Sequence, residues 1–497
     1  MKILTGSQTR VLDFKALSSG VSGWDLMNQA SRGLALLLKE FFRLRPGKFL
    51  FLCGRGHNGG DGLLTAARLR KESIPVAVLL FCGKKDLRPD ALRAFALARK
   101  AGVPLLFSPS EKNLRDEVAE STYLFDALFG TGFQGRMKEE MRRAVQAVND
   151  SGKIVLSCDI PSGLEADTGS GGSSCVRADF TFTIGYPKTG LFQKEGRLFS
   201  GSVYVIPLSL PSFTGKSAQM LAASELRFHL PSLEREDHKY SRGHLLIAAG
   251  SSGMTGAAHF SVCGAQRSGA GVVSLASGQK VLDVIRNHDP QVLTLPEQKI
   301  FSFIKRKRVS ALLFGPGCGR SGSKKNLLRK LMKCSLPLVI DGDGIYHYSF
   351  LSPVSRSRSP VFRSPVILTP HEGEFSKFTG IRPTERGAAA ASFTRGRGEV
   401  LVLKGRQTIL SRRGEIWFNP TGNALLAQAG SGDLLAGLIG GFLARGTEAP
   451  AAASLGVYLH GLAADLAFVR WGRRGVLLDQ IAEMVPQGVR YLEEGLF

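Results

Sequence analysis

The sequence predicts two α/β domains, each a three-layer sandwich around a largely parallel sheet. Short continuous apolar runs alternate with helical patterns through the first part of the chain. The alternation loosens around residues 211–222 and then resumes. In both halves the unusual polar and glycine residues stand just past the apolar runs, where ligands gather in open parallel sheets. These observations divide the chain into domains at 1–215 and 222–497.

In the first half the runs are FLFLCG (Phe49–Gly54), VAVLLFCG (Val76–Gly83), YLFDALFG (Tyr123–Gly130) and IVLSCDIPSG (Ile154–Gly163). Continuous apolar runs that stop at turn residues suit strands buried on both faces. Between them, DGLLTAARLRKE and ALRAFALARKAG read as helices. The second half begins at HLLIAAGSSG (His244–Gly253). It continues through ALLFGPGCG (Ala311–Gly319), LPLVIDGDG (Leu336–Gly344), PVILTPHEGEF (Pro365–Phe375) and VLVLKGRQT (Val400–Thr408).

Composition narrows the function classes. The chain has 497 residues, 43% hydrophobic and 21% charged, enough to build full cores. The first residues lack an apolar stretch of signal-peptide type. No run of about 18 apolar residues stands out, so a membrane span is not expected. Cys53, Cys82, Cys158, Cys175, Cys263, Cys318 and Cys334 are scattered with no CxxC pair, and are expected as free thiols in a reducing cytoplasm. The net charge of +24 suggests polyanions, but the runs at Lys305–Arg308, Lys324–Lys325 and Ser355–Ser359 lack interleaved aromatics. They are expected as solvated loops, with no nucleic-acid partner and a field that suits a phosphorylated small substrate.

The first constellation is FLFLCGRGHNGGDG, a strand and glycine loop with a helix expected to open at Asp61 or Gly62. It lacks the lysine of a P-loop. Gly59 and Gly60 let backbone approach a ligand, Asn58 and Asp61 supply polar handles, and Asp61 could equally cap the helix. Asp126 ends one strand before ALFGTGFQG, and Asp159 ends the next in CDIPSGLEADTG. Carboxylates there need a cleft, a partner or a cation.

HNGGDG, LFDALFGTGF, DIPSGLEADTG and TIGYPKTGL, in this order, resemble the motifs of the NAD(P)H-hydrate epimerase (YjeF N-terminal) family from about Arg10 to Pro207. The resemblance implies a Rossmann-like fold that binds hydrated nicotinamide dinucleotide. It places substrate contacts at His57, Asn58, Gly59, Gly60 and Asp61, at Gly130, Thr131, Gly132, Phe133, Gln134, Gly135 and Arg136, and at Asp159. It also implies K⁺ held by oxygens of Asn58, Asp126 and Ser162, and Asp159 as the acid/base that changes configuration at C6 of the damaged ring. His57 departs from the asparagine usual in the family.

The second constellation surrounds AQAGSGDLLAG (Ala427–Gly437). A helix start offers unpaired N–H groups to an anion, so Asp433 reads as a proton acceptor beside a bound phosphate or as a helix cap. LKGRQT sets a cation and a hydroxyl at a strand end, and NPTGN precedes the GSGD turn. Phosphoryl transfer needs an anion hole and a base, both within that turn.

This half resembles the ribokinase-like superfamily. More narrowly it is similar to the ADP-dependent NAD(P)H-hydrate dehydratase (YjeF C-terminal) family, through GHLLIAAGSSGMTGAAHFS, GAGVVS, FGPGCG, TPHEGEF, LKGRQT, NPTGNALLAQAGSGDLLAGLIGGFLARG and YLHGLAADL, over about His238–Pro486. The resemblance implies nucleotide contacts at Lys404, Gly405, Arg406, Gln407, Thr408 and Gly432, and substrate contacts at Ala257, Gly317, His371 and Asp433. Glu374 is expected either to organise Mg²⁺ through water or to cap its helix, and His371 is also readable as a loop histidine bonded to local backbone. DGDGIY differs from the usual DADGLN at Gly342 and Tyr346, a change expected to act on packing under the nucleotide, with Asp341 and Asp343 retained.

The implied chemistry is that Asp433 deprotonates the C6 hydroxyl, ADP (or ATP) phosphorylates it, and phosphate leaves as the ring recovers its conjugation. The substrates are hydrated NADH and NADPH, and the family implies a homo-oligomer. The rival reading is a ribokinase-like vitamin or sugar kinase fused to a non-catalytic dinucleotide- or RNA-binding scaffold.

Overall fold

The computed structural model describes every residue except 134, 173, 353–363, 383–384 and 497. The chain forms two compact units, Met1–Ala222 and Ala223–Gly495.

In the first unit seven strands are hydrogen-bonded in the order β3-β2-β1-β4-β5-β6-β7. They are β1 (Phe49–Cys53), β2 (Val76–Leu80), β3 (Leu105–Phe107), β4 (Tyr123–Ala127), β5 (Ile154–Cys158), β6 (Phe180–Ile184) and β7 (Ser202–Ile206). Every pairing is parallel. All positions of β1, β2, β4 and β5 are buried, so both faces of the sheet are covered. The two-residue strand β8 (Gln219–Met220) bridges Lys2 at the end of this unit.

The sheet of the second unit runs β11-β10-β9-β12-β13-β14-β15-β16-β17. Its strands are β9 (His244–Ala248), β10 (Val272–Ser277), β11 (Leu293–Pro296), β12 (Ala311–Phe314), β13 (Leu338–Ile340), β14 (Val366–Leu368), β15 (Val400–Leu403), β16 (Ile409–Arg412) and β17 (Glu415–Phe418). The pairs β15–β16 and β16–β17 are antiparallel and the others parallel. Strand order reverses between β1 and β4 in one sheet and between β9 and β12 in the other, and a crevice opens at each reversal.

Several expectations are corrected. The helix after β1 starts at His57, four residues before Asp61, with Gly56 as its N-cap. Asp61 therefore lies inside the helix and caps nothing. The helix Ala449–Trp471 is long and apolar enough to cross a membrane by length and composition alone, and 94% of its apolar window is buried within the fold. Lys305 and Arg306 end the helix Ile300–Arg306, and Lys324 and Lys325 lie in Gly322–Leu331, so these charges ride on helices and not on loops. The Ser355–Ser359 run lies outside the described residues. The cysteines are free as expected.

Candidate functional site

The first site forms at the β1/β4 reversal. A Cβ on Gly59 would lie 1.9 Å from the Gly54 carbonyl oxygen, and one on Gly54 would lie 2.0 Å from that of Leu128. Glycine at both positions lets the helix start and the turn after β4 touch through backbone alone. Asn58 thereby reaches the next loop, donating from Nδ2 to the Phe129 carbonyl at 2.7 Å. Ser162 Oγ accepts from Phe129 N–H at 2.9 Å and donates to Asp126 Oδ1 at 2.6 Å. Asp126 also accepts from Ser162 N–H at 2.8 Å and from Ser157 Oγ at 3.0 Å.

Asp126 is 1% exposed, and burial raises its carboxyl above the ordinary range against the pull of those hydrogen bonds. None of its hydrogen-bond partners is a cation. Asn58, Asp126 and Ser162 therefore converge as an oxygen-rich cluster whose single charge is compensated only by neutral donors. A weakly held monovalent cation fits that donor set.

Asp159 follows β5 with a φ of 65°, the left-handed region, which costs a non-glycine residue on the order of 1 kcal/mol. The conformation is held by what the side chain touches. Oδ1 accepts from Ile184 N–H at 3.0 Å and from the ammonium of Lys188. Lys188 is 1% exposed and also donates to the Ile184 carbonyl at 2.8 Å. Sequence reasoning quoted TIGYPKTGL but gave Lys188 no part in the site. The available signal was a lysine just past an apolar run that turns out to be β6, neighbour of β5.

Asp13, on the helix Gly6–Ser18, was also missed. Burial first, then the charge of Asp159, raises its carboxyl, while Lys188 and His57 oppose the rise. His57 and Asp159 thus both act on Asp13. Gly60 is closed off by the Met27 side chain, 2.4 Å from where its Cβ would be. Phe133, Gly135 and Arg136 line a cavity of about 510 Å³ together with Gly163, Gly171 and Arg142. Gly130 faces Asn58, Thr131 and Gly132 lead on toward the surface, and Gln134 lies outside the described residues.

The second site gathers at the strand ends around the helix Ser431–Ala444. Its N-cap is Gly430, at φ 87°, and no side chain caps it. Asp433 is therefore not the cap. It occupies the first turn, where burial, and then the charge of Asp341, push its carboxyl up to about 7. Lys404 follows β15 and its Nζ donates to Asp341 Oδ1 at 2.6 Å. That carboxylate oxygen also accepts from Thr369 Oγ1 at 2.7 Å. Lys404 Nζ lies 3.0 Å from where a Cβ on Gly432 would stand, so the ammonium sits at the helix start. Burial works against the lysine's charge, yet Asp341 and Glu374 hold its pKa above the ordinary value.

His371 caps the helix Glu372–Thr379, its Nδ1 accepting from Gly373 N–H at 3.0 Å and Glu374 N–H at 3.2 Å. Glu374 returns the bond, accepting from His371 N–H at 2.9 Å. Glu374 thus caps its helix and His371 bonds local backbone, with His371 Nε2 3.5 Å from Glu374 Oε1. The Gly405–Thr408 turn is tied down by Arg386, which sequence reasoning did not single out: Nη1 donates to the carbonyls of Arg406 at 2.6 Å and Gln407 at 2.9 Å. Gln407 is at φ 60°, and its buried Oε1 has no hydrogen-bond partner among the described residues.

At the β9/β12 reversal, a Cβ on Gly317 would lie 2.8 Å from that of Ala257, so these two expected contacts are neighbours. Gly342 adopts φ 53°, where glycine is unstrained. Asp343 turns to Arg320 Nε at 2.8 Å and Gly319 N–H at 2.9 Å. Tyr346 is 40% exposed and lies under the Arg320 guanidinium at 4.9 Å, so this departure from the family pattern lies at the surface. Among the described residues no group of three or more His, Cys, Asp or Glu is arranged to hold a metal ion.

Known proteins resemble the chain throughout. Residues 245–487 match the NAD(P)H-hydrate dehydratase family, and residues 23–190 match the YjeF-related protein N-terminus family. A bifunctional NAD(P)H-hydrate repair enzyme of Moorella thermoacetica is 33% identical over 471 residues, covering 90% of this chain and 88% of that protein. One from Coxiella burnetii is 32% identical, covering 95% and 96%. The ADP/ATP-dependent NAD(P)H-hydrate dehydratase of Bacillus subtilis, co-crystallised with ATP and Mg²⁺, superposes with a TM-score of 0.50 at 28% identity, over 56% of this chain and all of that one.

Proposed function

The chain belongs to the bifunctional NAD(P)H-hydrate repair enzymes, and from that premise we propose that its two units treat one damaged cofactor in sequence. The first unit interconverts the R and S forms of hydrated NADH and NADPH. The second dehydrates the S form, using ADP as phosphoryl donor and releasing AMP and phosphate.

The observation that carries this reading is Asp433 in the first turn of an uncapped helix, beside Lys404 and with its carboxyl raised to about 7. Free N–H groups and the ammonium stabilise a transferring phosphoryl group. A carboxylate poised near neutrality takes the proton of the C6 hydroxyl as that oxygen attacks phosphorus. Phosphate is then a far better leaving group than hydroxide. The buried Oε1 of Gln407 and the turn fixed by Arg386 suit the nucleotide. Glu374 would hold Mg²⁺ through water beside the nucleotide phosphates, where the ion would neutralise phosphate charge, since Mg²⁺ commonly takes one or two carboxylates plus phosphate oxygens.

In the first unit Asp159 is the acid/base, and the buried oxygens of Asn58, Asp126 and Ser162 support K⁺ there. Self-association follows the family, and sedimentation of the purified chain tests it. The function itself is tested by supplying separate R and S hydrates of NADH with ADP and Mg²⁺. The S form should regain dihydropyridine absorbance at once, and the R form at a rate set by the first unit. Phosphorylation of a vitamin or sugar with no repair of either epimer would overturn the reading.

A further inference from the structure

The mechanism so far uses one carboxyl in the first unit, although inverting a hydroxyl-bearing carbon moves two protons. Asp61 lies in the helix His57–Lys71 at 8% exposure. The bond made at this residue goes to its main chain, where Thr65 Oγ1 donates to the carbonyl at 2.7 Å. Its carboxyl has no hydrogen-bond donor among the described residues. It does feel the charges of Asp159 and Lys188, and the thiols of Cys53 and Cys158 feel it, which sets it among the ends of β1 and β5. Asp159, in contrast, accepts from Ile184 N–H and the Lys188 ammonium.

The helix of Asp61 follows β1 and Asp159 follows β5, with β4 between these parallel strands. The two residues thus stand at the same end of the sheet on different elements, one carboxyl supplied with donors and one with none. We propose that Asp61 is a second catalytic residue of epimerisation, the proton donor that works opposite the carboxylate of Asp159. The proposal rests on the epimerase reading of this unit. In the forward step the C6–O bond breaks with its electron pair going to oxygen. That oxygen takes the Asp61 proton and leaves as water, while the N1 lone pair forms the N1=C6 bond. Water then adds to the other face of C6, the π pair returns to N1, and the proton shed by the incoming water goes to Asp159. The enzyme is left with Asp61 ionised and Asp159 protonated, the state that catalyses the reverse inversion.

The electrostatics agree with the starting state. Burial first, then the adjacent Asp159 charge, raises the Asp61 carboxyl well above the usual range, and Lys188 only partly offsets this. A carboxyl raised in this way holds its proton and suits the donor's part.

The test compares Asp61→Asn and Asp61→Glu with the native full-length chain, assaying epimerisation of R-hydrated NADH and, separately, dehydration of the S form as a check on folding. Asp61→Asn should lower epimerase kcat by about 100-fold or more, with KM changed less than about threefold, a loss typical of a missing proton donor. Asp61→Glu should recover part of the rate. In H₂¹⁸O the native chain should place one labelled oxygen at C6 per inversion. A raised KM with normal kcat for Asp61→Asn would make Asp61 a binding residue only, and inversion without label would overturn the departure of water. Failure of the native chain to epimerise would instead sink the reading of the unit.

Discussion

Lys404 donates to Asp341 across 2.6 Å while its ammonium also stands at the helix start that carries Asp433. The lysine is therefore shared between carboxylates and offsets only part of the rise to about 7 that burial, and then the Asp341 charge, impose on Asp433.

This sets the pH dependence of dehydration. A base must be ionised to act, so kcat/KM for the S hydrate should fall as pH drops below about 7. Asp341→Asn removes a negative neighbour, and the inflection should move to lower pH. The stability effect has the opposite sense. A folded-state carboxyl raised above its unfolded value adds stability that is full below about 4 and is lost as pH rises through about 7. Rate profiles and thermal unfolding from pH 5 to 8 check both, and an inflection unmoved by Asp341→Asn would contradict the shared-lysine account.

Asp159 and Asp433, to which we assign proton transfer in epimerisation and dehydration, lie in separate compact units, so their losses should separate. Asp159→Asn should abolish R-to-S conversion and leave repair of the pure S epimer intact. Asp433→Asn should do the reverse, lowering nucleotide-driven repair by at least about 100-fold. Assays on each epimer alone decide the assignment, and it fails if both variants keep both activities.

Much of this was legible in sequence because doubly covered strands are continuous apolar runs, and β1, β2, β4 and β5 announce themselves that way. The shorter β3, the edge strand β11 and the strand β17, only partly buried, did not stand out. The helix start at His57 was hidden because two successive glycines read as loop, whereas Gly59 lets the helix touch the preceding turn and Gly60 makes room for Met27. Lys188 was hidden for another reason. It lies 29 residues from Asp159, and only the pairing of β5 with β6 brings the two together. Asp433 as cap or base could not be separated by spacing. The distinction came from Gly430, whose left-handed backbone takes the capping position.

Lys188 and Asp159 make a largely buried ion pair, with side chains 2% and 13% exposed. Removing one member leaves an uncompensated charge in a poorly solvated place, at a cost of about 3 kcal/mol. Lys188→Met should lower the melting temperature of the first unit by about 10 °C, given roughly 2–4 °C per kcal/mol for a unit of this size. Epimerase activity should fall with it. The double variant Lys188→Met, Asp159→Asn should recover stability while remaining inactive, which calorimetry and the R-epimer assay resolve. A single variant as stable as the native chain would show the pair to be dispensable.

Gly59 tests how strictly the first site depends on backbone contact. Alanine is the better helix former by about 1 kcal/mol, so propensity alone predicts stabilisation in the helix His57–Lys71. The added Cβ, however, would lie 1.9 Å from the Gly54 carbonyl oxygen, a backbone atom that cannot rotate away. Relieving that overlap requires the helix start to move by on the order of 1 Å, and overpacking of this kind costs about 1–3 kcal/mol. Packing wins over propensity. The displaced turn carries Asn58 and Asp61, and a misplacement of about 1 Å at reacting groups can cost 100-fold in rate. Gly59→Ala should therefore lose far more epimerase activity than stability, with dehydration of the S form unchanged. Gly56→Ala is the control, since its Cβ would meet nothing within 4 Å, and it should keep both activities. Equal behaviour of the two alanine variants would mean that the close approach of Gly59 to Gly54 does not hold the site in place.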